Sequence, residues 1–379
     1  MKKKNISQKL LSLLVAVSMT LGLAACGQSS GNNSGDANRI SAESIREDNQ
    51  TSEETAAGAS TEEAASEDTE TSEGTKRTEY PVTITTYGSD GAEFTTTYEK
   101  APEKVLAVYQ GSIETMLALG LEDRLVATAG LDNAVPDEQK AAFSSVEYLD
   151  EFTPSRETVT MLEPDMIFSW VSLFRDTTLG DAQDWIDNGT NIYINTNTAL
   201  SEDSLENEYN DILNMGIIFD VQDRAEAIVA EMQNTIESVK AQAEEAGESP
   251  SVLVLESMDG SFTNYNASSL AGDMVTQLGG ILANPDGSSL GKEDVIAANP
   301  DVIFVVYMPY TGDDPEAVMN KNLNIILEDN SLASLSAVQN GRVVPIMLSE
   351  MYASATRTQD GIETIAKGLY PELNLGTNI

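Results

Sequence analysis

The chain has 379 residues, and its 62 acidic and 21 basic side chains give a formal net charge of −41. Charge of this sign and size argues against nucleic acid and against an anionic membrane surface as partners. The sequence has no histidine and a single cysteine, Cys26. Triads and general bases that use histidine, imidazole metal sites, thiolate sites and internal disulfides are therefore excluded.

The first 25 residues have the organisation of a secretory signal. Four lysines lie among the first nine residues, an apolar run follows over 10–23, and the run ends in Leu-Ala-Ala-Cys at 23–26. A basic head, a short apolar core and small residues are typical of a signal peptide and not of a spanning helix. The junction resembles the bacterial lipobox, although a plain signal peptide with a chance cysteine is the alternative. We predict that residues 1–25 are removed and that Cys26 carries a lipid anchor at the extracytoplasmic face of the cell membrane.

The segment 26–79 has a composition that disfavours folding. After Cys26 it consists mainly of Ser, Thr, Glu, Asp, Ala, Gly and Asn, with almost no large apolar residues. Such a segment cannot bury enough surface to offset the loss of chain entropy. We expect a disordered acidic tether that holds the folded part away from the membrane.

An N-terminal α/β lobe is predicted over 80–219. Alternating apolar and polar residues from Tyr80 to Tyr98, with turn residues at 88–91, predict a leading β-hairpin. The elements that follow are strands at 105–108, 125–128, 166–168 and 191–194, and helices at 113–119, 157–163, 182–188 and 201–219, with Ser201 as the cap of the last one. This alternation predicts a largely parallel sheet covered on both faces.

A long helix over 220–248 separates this lobe from the rest. Its apolar residues recur at steps of three and four, at Ala225, Ile228, Val229, Met232, Ile236, Val239 and Ala243. Asp220 is the predicted N-cap, and Gly247 with Pro250 ends the helix. At 1.5 Å per residue the helix is roughly 40 Å long, which suits a rigid connection between two lobes.

A second α/β lobe is predicted over 249–379. Its strands are expected at 251–255, 302–304 and 343–346, and its helices at 270–278, 293–299, 317–327 and 358–369. Pro345 cannot donate to a sheet ladder, so the strand that contains it is expected at an edge.

The two lobes contain the same short pattern. Glu157 and Glu293 are each followed, after six residues, by a Pro-Asp pair, at 164–165 and 300–301, and then by an apolar run. Two such matches on either side of a long helix indicate two similar lobes with a ligand cleft between them.

Aromatic and basic residues follow several predicted strands, where ligands bind in open α/β sheets. We predict that the cleft is lined by Tyr109, Trp170, Arg175, Tyr307, Tyr352 and Arg357. The two arginines suit bidentate pairing with carboxylate groups of a ligand. The alternatives are that each arginine pairs with a neighbouring surface acid, and that a tyrosine ligates a metal in the ligand directly.

Five stretches resemble a known family. They are Pro102-Glu103-Lys104-Val105, the run from Ser112 to Arg124, Glu157 with Pro164-Asp165, Glu293 with Pro300-Asp301, and the run from Ile365 to Glu372. In this order and spacing, from about Tyr80 to the C-terminus, the chain resembles the substrate-binding lipoproteins of ABC importers for iron-siderophores, haem and cobalamin, which are class III periplasmic binding proteins.

The resemblance implies two Rossmann-like lobes with mainly parallel sheets, joined by one helix, and no catalysis. It implies a monomer with no intrinsic cofactor that binds a metal chelate, siderophore, haem or cobalamin, and delivers it to a permease dimer. Glu157 and Glu293 match glutamates that meet permease arginines, while the simpler interpretation is stabilisation of a helix N-terminus. Zinc and manganese relatives use histidines, which this chain lacks. A chelatase-like enzyme and a non-transport surface lipoprotein or adhesin are the alternatives.

Overall fold

The computed structural model describes residues 77–373. The predicted signal peptide, Cys26 and nearly all of the predicted tether lie outside the described residues, as does the segment 374–379. No helix within 77–373 combines the length and the apolarity that crossing a bilayer requires.

The N-terminal lobe is built on a four-stranded parallel sheet of order β4-β3-β5-β6. Its strands are β3 (Val105–Val108), β4 (Leu125–Ala129), β5 (Met166–Ser169) and β6 (Asn191–Ile194). The predicted hairpin is present as β1 (Val82–Tyr87) and β2 (Glu93–Tyr98), paired antiparallel. It lies beside β6, where the amide of Ile194 donates to the hydroxyl of Thr86 at 3.0 Å.

Five helices complete this lobe. They are α1 (Gln110–Ala118), α2 (Lys140–Phe143), α3 (Arg156–Leu162), α4 (Ala182–Asp187) and α5 (Leu205–Phe219). The prediction that Ser201 caps the last of them is wrong, because Ser204 is the cap and its hydroxyl accepts the amide of Asn207 at 3.2 Å. The amide of Leu205 donates to Asp273 at 2.8 Å, so a contact remote in sequence helps to fix where α5 begins.

The long helix α6 (Gln222–Ala246) has 25 residues and buries one apolar stripe. Asp220 is not its N-cap, which corrects the prediction. Asp220 ends α5 in the left-handed region, at φ 58°, and its carboxylate accepts the amides of Arg77 and Thr78, each at 2.8 Å. The helix before it therefore determines the conformation of this aspartate.

The C-terminal lobe contains a six-stranded mixed sheet. Its strands are β7 (Ser251–Met258), β8 (Ser261–Asn264), β9 (Ile281–Leu282), β10 (Ser289–Leu290), β11 (Val302–Tyr307) and β12 (Val343–Met347). The order is β10-β8-β7-β11-β12, with β9 beside β7. Strands β7, β9, β11 and β12 are parallel, whereas β8 and β10 are antiparallel additions that the sequence analysis missed. Pro345 lies in the edge strand β12, as predicted.

The helices of this lobe are α7 (Leu270–Gln277), α8 (Lys292–Ala298), α9 (Pro315–Leu327), α10 (Ser336–Gln339) and α11 (Thr358–Leu369). One apolar core runs from β3 and β5 through α5 and α6 to β7, β11 and α11, and smaller cores cover the other face of each sheet. This shared core joins the two lobes.

The repeated Pro-Asp pair has the same structural role in both lobes. The residue before the proline ends its helix in the left-handed region, with φ 49° at Glu163 and φ 40° at Asn299. The carboxylate of Asp165 accepts the amide of Lys104 at 2.9 Å, and that of Asp301 accepts the amide of Ser251 at 2.8 Å. Each aspartate thereby ties the start of its own strand to the neighbouring strand.

Candidate functional site

The carboxyl ends of the parallel strands in both sheets meet at one cavity of about 100 Å³. The segments that follow β3, β4 and β5 contribute the N-terminal side, and those that follow β11 and β12 contribute the other side. The lining residues are Gln110, Gly111, Asp132, Trp170, Met308, Tyr310, Leu348, Ser349, Tyr352, Ala353 and Ser354. This position agrees with the general location of ligands in open α/β sheets.

Aromatic rings form one wall of this cavity. Trp170 lies between Tyr109 and Tyr352, with ring centroids 5.1 and 5.9 Å away, and Tyr109 also contacts Phe152 at 6.0 Å. The hydroxyl of Tyr109 is 3.1 Å from that of Thr153, whereas the indole N–H of Trp170 has no acceptor among the described residues. The wall offers stacking area with little loss of rotamer entropy on binding.

Tyr109 has an unusual backbone. Its φ of 72° and ψ of 159° lie in a region that is normally restricted to glycine and costs about 1–3 kcal/mol for other residues. Opposite it, a Cβ on Gly130 would lie 2.8 Å from the Tyr109 ring. Close packing against a glycine thus holds a strained tyrosine behind Trp170, which fixes the position of the indole.

Asp132 presents an unpaired carboxylate at the cavity. Its backbone amide donates to the side-chain carbonyl of Gln110 at 3.1 Å, and its carbonyl accepts the amide of Thr311 at 2.9 Å. The carboxylate itself has no hydrogen bond or ion pair within residues 77–373. Partial burial raises the pKa of this carboxyl group.

Arg357 is buried at the contact between the lobes, with 8% of its side chain exposed. Its Nε donates to Glu114 at 2.9 Å, and its Nη2 donates to Glu114 and to the carbonyl of Ala134. Its Nη1 donates to Asn133 at 3.1 Å and to Ser349 at 3.2 Å. All five N–H donors of the guanidinium therefore have oxygen acceptors, and four of those contacts cross between the lobes.

The segment 348–357 places this arginine and Tyr352 against the N-terminal lobe. Ala353 and Ala355 have φ values of 44° and 49°, which are strained for alanine. A Cβ on Gly111 would lie 2.5 Å from the carbonyl oxygen of Ala353, so only glycine fits beneath the segment. The amide of Ala355 donates to Glu208 at 2.7 Å, and burial raises the pKa of that carboxyl group to about 8.

Two of the six predicted ligand-contact residues, Trp170 and Tyr352, line the cavity. Tyr109 lies directly behind Trp170. Tyr307 ends β11 in a half-buried position, and burial, followed by the charge of Glu350, raises its pKa. None of these placements establishes a ligand contact, so the six assignments stay predictions.

The two predicted arginines differ sharply. Arg175 is exposed and has no ion pair within the described part of the chain. Burial and then the charge of Asp203 raise the pKa of Tyr352, and the charge of Arg175 lowers it. Arg357 contacts Glu114 in a buried pair, and a role in binding an anion requires these bonds to open. Four further lining residues were not predicted, although each follows a strand and the same signal would have found them: Gln110, Asp132, Met308 and Ser349.

Glu157 and Glu293 occupy equivalent positions in the two lobes. Each is exposed in the first turn of a short helix, α3 or α8, that precedes a central strand. Each lobe therefore exposes one carboxylate at an equivalent place in its sequence pattern.

Residues 105–347 match the family described as periplasmic binding protein. The chain belongs to this family. A solved periplasmic binding protein from Veillonella parvula is similar, with a TM-score of 0.72 and 32% identity over 77% of this chain and 92% of that chain. The petrobactin-binding protein YclQ of Bacillus subtilis is 26% identical over 265 residues, which are 67% of this chain and 78% of that protein. The substrate-binding lipoprotein YvrC of the same organism, from an ABC transporter, is 23% identical over 298 residues, 77% of this chain and 87% of that protein. These similarities confirm the resemblance inferred from the sequence.

Proposed function

We propose that this protein captures an iron chelate of the siderophore class and delivers it to an ABC importer. The aromatic-lined cavity where the strand ends of both lobes meet carries this proposal, because a large, partly apolar chelate suits stacking on Trp170 and Tyr352. The relative YclQ is named as a petrobactin-binding protein, which supports the same ligand class.

Binding requires the cavity to widen. Its volume is about 100 Å³, whereas pockets for ligands of this size hold roughly 300–1,000 Å³. A second cavity of about 380 Å³ shares the exposed ring of Tyr310 with the first. Small separations of the segments around Tyr310 and Tyr352 would join the two spaces without unfolding either sheet.

Intrinsic fluorescence offers a direct test. The chain has two tryptophans, and Trp185 is buried in the N-terminal lobe with its indole N–H bonded to the carbonyl of Leu179 at 3.1 Å. In a Trp185→Phe variant, Trp170 is the single reporter. We expect ferric siderophores to quench it saturably and to raise the melting temperature.

The role of the cavity wall is tested by a pair of substitutions. Tyr352→Ala removes the ring that contacts Trp170 and should weaken chelate binding about two- to tenfold, because ring stacking contributes roughly 0.5–1.5 kcal/mol beyond the buried area. Tyr352→Phe keeps the ring and should bind nearly as the parent does. If no ferric chelate quenches Trp170 or shifts the melting temperature, the proposed function is wrong.

The proposal includes two further parts. Glu157 and Glu293 are proposed to meet basic residues on the two halves of a permease dimer, since each lobe exposes one of them at an equivalent place. Cys26 is proposed to carry the lipid that anchors the protein at the outer face of the membrane. The Leu-Ala-Ala-Cys junction supports this anchor, as does the similarity to the lipoprotein YvrC.

A further inference from the structure

The charges around the cavity favour one class of chelate, and this inference rests on the proposed function. Asp132 lines the cavity and has an unpaired carboxylate, as described above. Two more acids lie near the same edge. Asp313 accepts the amide of Tyr310 at 3.0 Å, and Glu256 accepts the hydroxyl of Tyr265 at 2.8 Å.

The pKa of Tyr310 responds to all three of these acids. Burial raises its pKa, and the charges of Asp132, Glu256 and Asp313 raise it further, in that order. The ring of Tyr310 lines the cavity with 59% of the residue exposed. An exposed aromatic face beside uncompensated carboxylates is the environment that stabilises an organic cation, through cation–π and ionic attraction.

Within residues 77–373, no ion pair involves Asp132, Glu256 or Asp313. Arg357 contacts Asn133 and Ala134, the two residues that follow Asp132, but all five of its donors are bonded and its charge is paired with Glu114. Arg175 has no ion pair among the described residues, but it does not line the cavity, and its effect on the pKa of Tyr352 is opposed by burial and by the charge of Asp203. The edge of the cavity at Asp132 and Tyr310 is therefore negative.

We propose that the protein selects ferric chelates that carry a pendant ammonium group, and that this group binds at the edge formed by Asp132 and Tyr310. The remainder of the chelate then lies towards the aromatic wall at Trp170 and Tyr352. A chelate with a pendant carboxylate at the same place meets an unpaired carboxylate without a counterion, so binding is weaker.

Three ligands that share one ferric trihydroxamate and differ in the charge of the pendant group test whether charge determines the affinity. Ferrioxamine B is a ferric trihydroxamate with a pendant ammonium group and a net charge of about +1, its N-acetyl derivative is neutral, and its N-succinyl derivative is negative by about one charge at neutral pH. Titrating each against the full-length protein should give affinities in the order ammonium, neutral, carboxylate. We expect the first and last to differ by at least about tenfold at low salt, with a smaller difference at high salt.

Two substitutions, each of which removes one negative charge, test whether Asp132 causes the preference for the ammonium ligand. Asp132→Asn keeps the backbone bonds of the site and should reduce the ratio of ammonium to carboxylate affinity to less than about threefold. Asp187→Asn is the control, because Asp187 is exposed at the end of α4, where the chain turns back to begin β6, and it should leave that ratio unchanged.

Each outcome decides the question. Equal or tighter binding of the carboxylate derivative, or an unchanged ratio in Asp132→Asn, overturns the proposal. If none of the three hydroxamates binds while haem or ferric citrate does, the proposal is overturned and chelate capture stands. If no chelate of any charge binds, the proposed function itself fails and the inference falls with it.

Discussion

The buried pair of Glu114 and Arg357 allows a quantitative prediction. Glu114 is 1% exposed and Arg357 is 8% exposed, and the pair joins the two lobes. Replacing Arg357 by Ala leaves the carboxylate of Glu114 with one remaining side-chain donor, the amide of Gln110. Removing one partner of a buried ion pair costs roughly 3–5 kcal/mol because the other charge stays desolvated.

Such a loss should lower the melting temperature measurably. At about 2 °C per kcal/mol for a chain of this size, Arg357→Ala should melt roughly 6–10 °C below the parent protein. The double variant Glu114→Gln with Arg357→Met removes both charges, so it should be less destabilised than Arg357→Ala alone. Thermal and denaturant unfolding, followed by circular dichroism, measure both values.

The pH dependence of Arg357→Ala is a second signature. In the parent protein burial already raises the pKa of Glu114, while Arg357 opposes that shift. Without the arginine the folded-state pKa rises further, and a carboxyl group with a raised pKa stabilises the fold at low pH and loses that contribution as pH rises. The deficit of the variant should therefore shrink on acidification. A loss below about 1 kcal/mol in Arg357→Ala, or a double variant that is less stable than Arg357→Ala, would refute the assigned coupling.

Four further outcomes are expected. Gly111→Ala places a methyl group 2.5 Å from a carbonyl oxygen of the opposing lobe and should cost about 1–3 kcal/mol in unfolding free energy. Glu208 has its pKa raised from 4.5 to about 8, so its stabilising effect is complete below about pH 4.5 and is lost as pH rises through about 8. Glu208→Gln should therefore gain stability relative to the parent over that range in denaturant titrations. The double variant Glu157→Ala with Glu293→Ala should bind chelate normally but lose uptake of labelled iron, and normal uptake would exclude the docking role. Cys26→Ser should release the protein from membranes or leave it unprocessed, and a normally processed, membrane-bound variant would contradict lipid anchoring.

Local sequence signals predicted most of the regular structure. The bounds of β6 and α11 agree residue for residue with the predicted 191–194 and 358–369. Apolar runs four to six residues long can be satisfied by buried parallel strands, and the helical period is determined by residues within a few turns. Pro345 lies at an edge for an equally local reason, the missing backbone donor.

The errors in the predicted helix caps and strand ends arose where the local sequence suits more than one structure. Asp220 and Ser201 both have side chains suited to an N-cap, but Ser204 was placed at the start of α5 and Asp220 at its end. Polar residues at 256–260 resemble a loop, yet the strand continues to Met258 because the antiparallel partner β8 supplies its hydrogen bonds. Pairing between segments decides such cases, and composition does not show it.

The sequence by itself determined the class of fold, the strand ends that form the cavity, and the aromatic residues Trp170 and Tyr352 found there. Only the tertiary structure decided which charged side chains are paired. Arg357 is paired with Glu114, which is 243 residues away in the chain, whereas the carboxylate of Asp132 has no hydrogen bond or ion pair among the residues that the structure describes. The reason is physical: electrostatic partners are chosen by distance and burial after the lobes have packed, and no local pattern records that choice.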